Sequence, residues 1–399
     1  MEAYIVDAIR TPIAKFRGAL SAVRADDLAA IPLKSLMERN EIDPAKVDDV
    51  IMGCANQAGE DNRNVARMAS LLAGLPTSVP GETVNRLCSS GMSAAIHATR
   101  AIKAGDGDLF IAGGVEHMTR GPLVMSKSAM PYGSDAKLYD SSFGWRFVNP
   151  KMKATYGTHA MGETAENLVE RDTISREDQD RFALWSQEKS ALARKSGRLA
   201  KEIVEVSIPQ RKREPIIFDQ DEFIREDTSL EGLAKLKPAF KSDGSVTAGN
   251  ASGLNDGAAA ILIASEKSVV EMNLKPKARI VSSQVVGVEP SIMGIGPVQA
   301  ALGALKKAGL TMDQMGVIEL NEAFAAQVLA CTRSWGLDDQ DKRLNPNGGA
   351  IALGHPLGMT GARLLQTATL ELHERNVQYA LCALCVGVGQ GYATVLEKV

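Results

Sequence analysis

Val84-Asn85-Arg86-Leu87-Cys88-Ser89-Ser90-Gly91-Met92 reads as the entrance to a helix, and Leu109-Phe110-Ile111-Ala112 beyond it as a short, apolar, buried strand. Met92, Ala95, Ile96, Thr99 and Ile102 recur at helical spacing, and Gly105 supplies the stop. Ser89, Ser90 and Gly91 suit a first turn, where backbone N–H groups still lack partners. The same order returns late in the chain, as Gly358-Met359-Thr360-Gly361-Ala362 and then the strand Tyr379–Leu384. Pro32-Leu33-Lys34-Ser35-Leu36, leading to Val47–Ile51, likewise has an echo in Pro297-Val298-Gln299-Ala300-Ala301, leading to Met315–Ile318. Two α/β units in one order point to an internal duplication. Strands alternating with helices predict a mostly parallel sheet. A site is expected at the junction, near strand C-terminal ends and helix N-termini.

Working outward, residues 1–120 and 246–270 form the first unit and 271–399 the second. Residues 121–245 change character. Pro, Gly, Met and aromatic residues crowd 122–156 without a period. A charged helix then begins at Ser175, with Asp178 as a capping-box partner, and stops near Gly197. Arg211-Lys212-Arg213 is a basic turn. This stretch reads as an insertion over the sheet.

With 399 residues and a formal net charge of −3, the chain is long enough for two domains and offers no electrostatic footprint for nucleic acid or an anionic membrane. No stretch reaches the length of a membrane span. Met1–Ala8 has neither the basic nor the apolar region of a signal peptide, so a cytoplasmic protein is expected. Five irregularly spaced cysteines make no disulfide framework.

Cys88 at a helix entrance feels the positive end of the helix dipole, which favours thiolate over thiol; the plain alternative is a small buried apolar side chain. Three polar clusters of the second unit stand where α/β proteins build sites. They are Asn321-Glu322-Ala323-Phe324 after a strand, Asn347-Gly348-Gly349 through Gly354-His355-Pro356 before a helix, and Cys385-Val386-Gly387-Val388-Gly389-Gln390-Gly391 after a strand. His355 beside a thiolate is a natural base, and the Asn321 amide is suited to hold an oxyanion or a water. Cys382 and Cys385 lie three apart on a strand and point to opposite faces, which argues against a redox pair. Five scattered histidines supply no zinc site. Glycines alternating after a strand let backbone N–H groups approach a ligand.

Taken together, Asn85-Arg86-Leu87-Cys88, Asn321-Glu322-Ala323-Phe324, Gly354-His355-Pro356 and Cys385-x-Gly387-x-Gly389-x-Gly391 resemble the four motifs of the thiolases, in family order and over essentially the whole chain. The resemblance implies a duplicated α-β-α-β-α layered fold with an inserted loop domain over coenzyme A, assembled as a homodimer or homotetramer. It implies acyl transfer between acyl-CoA and CoA, with coenzyme A as substrate and no metal or redox cofactor. Cys88 would attack the 3-oxo carbon, His355 would activate it, and Cys385 would protonate the leaving acetyl-CoA carbanion. Asn321, through a water, with His355 would form one oxyanion hole, and the N–H groups of Cys88 and Gly387 the other. Arg225 would stack on the adenine and Ser252 would touch the pantetheine; Met293 and Phe324 would line the acyl pocket. Phe143–Pro150 and Thr164–Asn167 resemble members that act on 3-oxoadipyl-CoA in aromatic catabolism. Acetoacetyl-specific biosynthetic members carry a His where Ala160 precedes Met161-Gly162. That role and a catalytically silent acyl-CoA carrier are the alternatives.

Overall fold

The computed structural model describes residues 2–399. Its frame is a ten-stranded sheet: β1 (Ala3–Arg10), β2 (Asp49–Gly53), β3 (Gly81–Val84), β4 (Leu109–His117), β5 (Asn255–Ser265), β6 (Ala278–Gly287), β7 (Val317–Leu320), β8 (Tyr379–Val386) and β9 (Gln390–Lys398), with Ala14–Lys15 beside β5. The order across it is β7-β8-β9-β6-β1-β5-β4-β2-β3. The two ends repeat each other. β2 lies parallel to β4 while β4, β5 and β1 are antiparallel neighbours; β7 lies parallel to β8 while β8, β9 and β6 are antiparallel neighbours. β1 and β6 join the halves at Tyr4↔Arg279 and Ile5↔Ala278. The second half's counterpart of β3 is reduced to a single parallel bridge, Ile318↔Leu344.

Between the named strands of this sheet, parallel pairing is confined to β2–β3, β2–β4 and β7–β8, which corrects the mostly parallel sheet expected above. The cause is local: β9 follows β8 through a tight turn at Gly387–Gly389, and β5 returns beside β4 after a long excursion.

Six helices complete the layers: α1 (Ala25–Arg39), α2 (Val65–Leu72), α3 (Ser90–Ala104), α4 (Gly296–Ala308), α5 (Ala325–Ser334) and α6 (Leu357–Glu374). Alternate strand residues sort into different cores, as a period of two requires. Leu109, Ile111 and Val115 of β4 pack with α1 and α2, whereas Phe110 and Ala112 pack with α3 and α6. Leu381 and Ala383 of β8 pack with α4 and α5, whereas Ala380, Cys382 and Leu384 face α3 and α6. The result is the α-β-α-β-α order, with α3 and α6 as the shared middle layer. These two helices meet backbone to backbone: a Cβ on Gly91 would lie 2.6 Å from Gly358 O. Gly91 and Gly358 are each the second residue of their helix, so that echo holds residue for residue. The proline echo does not, since Pro32 lies inside α1 and Pro297 in the first turn of α4.

Between β4 and β5 the chain leaves the sheet over residues 118–254. It forms the hairpins Leu123–Met125/Leu138–Asp140 and Val206–Gln210/Arg213–Phe218 and the helices Met161–Asp172 and Arg176–Lys195. Ser175 Oγ caps the last of these by accepting the Asp178 N–H (3.0 Å). The Asp178 carboxylate does not complete the capping box; it turns to Arg333 (2.8 Å) on α5 and ties the excursion to the second half.

Candidate active site

Cys88 sits in a single 3₁₀ turn, Leu87–Ser89, that runs into α3. The turn is strained: Leu87 has φ 45°, a left-handed conformation that leucine seldom adopts. Hydrogen bonds hold it there. Leu87 N–H donates to Asn85 Oδ1 (2.9 Å), Ser90 Oγ–H donates to Leu87 O (2.7 Å), and Asn85 Nδ2–H donates to Ala55 O (3.0 Å). The backbone N–H groups of Gly387 and of Cys88 itself favour the Cys88 thiolate. A Cβ on Gly387 would lie 3.2 Å from Leu87 Cδ1, so glycine lets that turn come close.

Burial nevertheless raises the Cys88 thiol to about 11 despite these two donors. This shift runs opposite to the one the helix start predicts, because desolvation exceeds the gain from those two N–H groups. Cys385, buried at the end of β8, is held well above the usual thiol range by burial and by its neighbours Cys88 and Cys331. It packs with Met293, Phe324, Ala323, Ala251, Val246 and Ala165. Cys382 belongs to the middle-layer core instead, and all five cysteines are free.

His355 is reached from the other half. Its Nε2 lies 3.3 Å from Asn321 Nδ2, and its Nδ1 lies 2.7 Å from Thr360 Oγ1. Thr360 donates its own hydrogen to Pro356 O (2.8 Å), so it accepts from Nδ1–H and leaves the Nε2 lone pair toward Asn321. Burial, with the Arg363 charge, lowers His355 to about 3. The resting pair is therefore a thiol and a neutral imidazole. No hydrogen bond joins Cys88 to His355 among the described residues; what relates them is the Gly91–Gly358 contact, three residues beyond each. Asn321 is fully buried, and its Oδ1 has no partner among the described residues.

Ser252 is half-buried and donates its N–H to Ala323 O (3.0 Å), beside the bridge Ala251↔Phe324, which brings it to the Asn321 loop. Arg225 stands apart on the excursion, exposed, its guanidinium 4.9 Å from the Phe223 ring. Sequence reasoning missed the polar residues that hold the site. Asn255 Oδ1 accepts the His355 N–H (2.9 Å) from 100 positions away. Glu322 accepts from Ser186 Oγ (2.6 Å), Asn345 Nδ2 (2.8 Å) and Ile351 N (3.2 Å). Neighbourhood in the motifs signals Thr360 and Glu322; nothing local signals Asn255.

The chain matches the thiolase N-terminal domain over residues 3–267 and the thiolase C-terminal domain over residues 274–398. It is 61% identical over 398 residues to a beta-ketoadipyl-CoA thiolase of Acinetobacter baylyi, covering 100% of this chain and 99% of that protein. It is 59% identical to the 3-oxoadipyl-CoA/3-oxo-5,6-dehydrosuberyl-CoA thiolase of Escherichia coli, with 100% of both chains covered. The crystal structure of human mitochondrial 3-ketoacyl-CoA thiolase superposes with a TM-score of 0.93 at 40% identity, over 100% of this chain and 99% of that one. With both domains matched in order around this cysteine–histidine site, the chain belongs to the thiolase family.

Proposed function

We propose that this thiolase cleaves 3-oxoadipyl-CoA with CoA to succinyl-CoA and acetyl-CoA. The observation that carries the chemistry is that the turn bearing Cys88 packs against the end of the strand bearing Cys385, with Leu87 Cδ1 3.2 Å from where a Cβ on Gly387 would stand. The likeness to relatives named for beta-ketoadipyl-CoA supports the substrate.

Cys88 gives its proton to His355 Nε2 as its sulfur attacks the 3-oxo carbon. The charge that forms on oxygen meets prealigned N–H donors, where such interactions act most strongly. The C2–C3 bond breaks, its electron pair stays with acetyl-CoA, and Cys385 supplies the proton. The proton on His355 then passes to the Cys385 thiolate. CoA gives its thiol proton to the neutral His355 and attacks the acyl-Cys88 thioester, and the departing Cys88 sulfur takes that proton back as the shortened acyl-CoA forms. Splitting one hard step into two is the gain of covalent catalysis. We assign the first oxyanion hole to Asn321, through a water, with His355, and the second to the N–H groups of Cys88 and Gly387. Arg225 and Ser252 are assigned to CoA, Met293 and Phe324 to the acyl pocket, and residues 121–245 to a loop domain over CoA between the units 1–120 with 246–270 and 271–399. A cytoplasmic homodimer or homotetramer is proposed; the exposed Leu123, Met125, Tyr132 and Leu138 of the first hairpin region suit a contact between copies.

Intact-protein mass spectrometry after mixing with 3-oxoadipyl-CoA, without free CoA, tests the reading. A succinyl-sized adduct on Cys88, absent from Cys88→Ala, is expected. Adducts formed efficiently only from straight-chain 3-oxoacyl-CoAs would move the substrate elsewhere, and no adduct from any donor would refute the acyl-enzyme.

A further inference from the structure

Glu116 stands at the end of β4, buried, on the face turned toward α3 and α6. Its carboxylate accepts three backbone N–H groups. Oε2 takes those of Ala55 (3.0 Å) and Gly358 (2.8 Å), and Oε1 takes that of Asn56 (3.0 Å). Gly358 lies in the first turn of α6, three residues beyond His355. Ala55 O accepts from Asn85 Nδ2, and Asn85 Oδ1 accepts from the strained Leu87. One side chain therefore grips the His355 segment directly and the Cys88 turn through two further links. Burial raises the Glu116 carboxyl to about 7 against these three donors. Above that pH the ionised carboxylate only accepts, which suits three donors, whereas an amide of the same shape brings two hydrogens of its own.

We infer that Glu116 is a positioning residue for thiolysis, holding the strained turn before Cys88 and the helix start after His355 in one fixed relation. This rests on Cys88 as nucleophile and His355 as base. Backbone strain at a site persists only where its surroundings over-determine it, and the Ala55–Asn85–Leu87 links are such surroundings.

Charge and geometry predict opposite outcomes, which makes the test decisive. The Glu116 charge disfavours the Cys88 thiolate. Were Glu116 only a nearby charge, Glu116→Gln would make Cys88 react faster. As a positioning residue its replacement leaves a buried N–H unmatched, and an unpaired buried donor of this kind slows Cys88 alkylation by iodoacetamide at pH 8, and kcat, by about tenfold, with KM for acyl-CoA within about twofold. The rate constant is read by mass spectrometry with peptide mapping on the folded full-length enzyme, so a loss of folded protein alone would not move it. Should Glu116→Gln fail to fold, Asn85→Ala at an exposed position cuts the second link, and the same slowing is expected. Alkylation at Cys88 that is unchanged or faster in the folded variants overturns the inference alone. Wild-type label landing on a residue other than Cys88 overturns the underlying reading, and the inference with it.

Discussion

His355 is a poor base in the resting protein, and the reason is its burial. An imidazole enclosed away from water, near the Arg363 guanidinium, gives up its proton down to about 3. The unfolded chain keeps the ordinary value near 6.5, so on acidification the unfolded state takes up a proton that the folded state refuses. Stability contributed by neutral His355 is therefore complete above about 6.5 and falls as pH drops from there toward about 3. His355→Gln removes the effect. Between pH 7.5 and 5.0 the wild type should lose about 2 kcal/mol relative to that variant, read from paired urea denaturation curves. A gap independent of pH would mean that His355 titrates in the folded state as it does in the unfolded chain. At this scale the motif residues were legible because their types are rare in combination: a thiol, an imidazole and an amide, each at a turn. The sign of the Cys88 shift was not. Helix position is written locally, whereas burial is the sum of side chains from both halves.

The two central helices set the separation of the two catalytic segments. Their contact is made by glycines, and a Cβ on Gly361 would overlap Met92 N and lie 2.7 Å from Met92 Cβ. A backbone atom cannot swing aside as a flexible side chain does. Gly361→Ala should cost about 1–3 kcal/mol, the usual range for overpacking, and should lower kcat by displacing the helix starts that carry Cys88 and His355. Gly105→Ala is the control: it sits at φ 85° with open space around it, so it should cost about 1 kcal/mol of strain and leave kcat unchanged. Equal kcat in both variants would show that the glycine contact sets stability alone. Helix and strand repeats were legible here because their periods are local. β3, four residues with no alternating pattern, was not, and neither was the antiparallel return of β5, which depends on where an excursion of over a hundred residues ends.

The whole molecule is closed by a buried ionic chain that no local pattern announces. Arg10 of β1 donates to Glu202 (3.0 Å) and Asp221 (2.7 Å) of the excursion, and Arg198 donates to Glu202 (2.9 Å) and to Glu371 (2.7 Å) of α6. Glu371 also accepts from Asn347 Nδ2 (2.7 Å), at the head of the loop that leads to His355. First half, excursion and second half thus share one set of charges. Burial opposes the Glu202 charge, but Arg198 and Arg10 outweigh it and hold that carboxyl below its usual range. Glu202→Gln leaves two buried guanidinium groups short of a counter-charge, and breaking a buried pair in this way costs about 3–5 kcal/mol. The sign with pH follows from the lowered value: the pair's stability is present above the ordinary carboxylate range and is lost as pH falls through the folded value. The gap between wild type and Glu202→Gln in thermal or urea denaturation should accordingly be widest at neutral pH and narrow below about 4.5. A gap that stays constant into acid would mean that Glu202 titrates alike in the folded and unfolded protein, and that the halves are held together by packing without this charge.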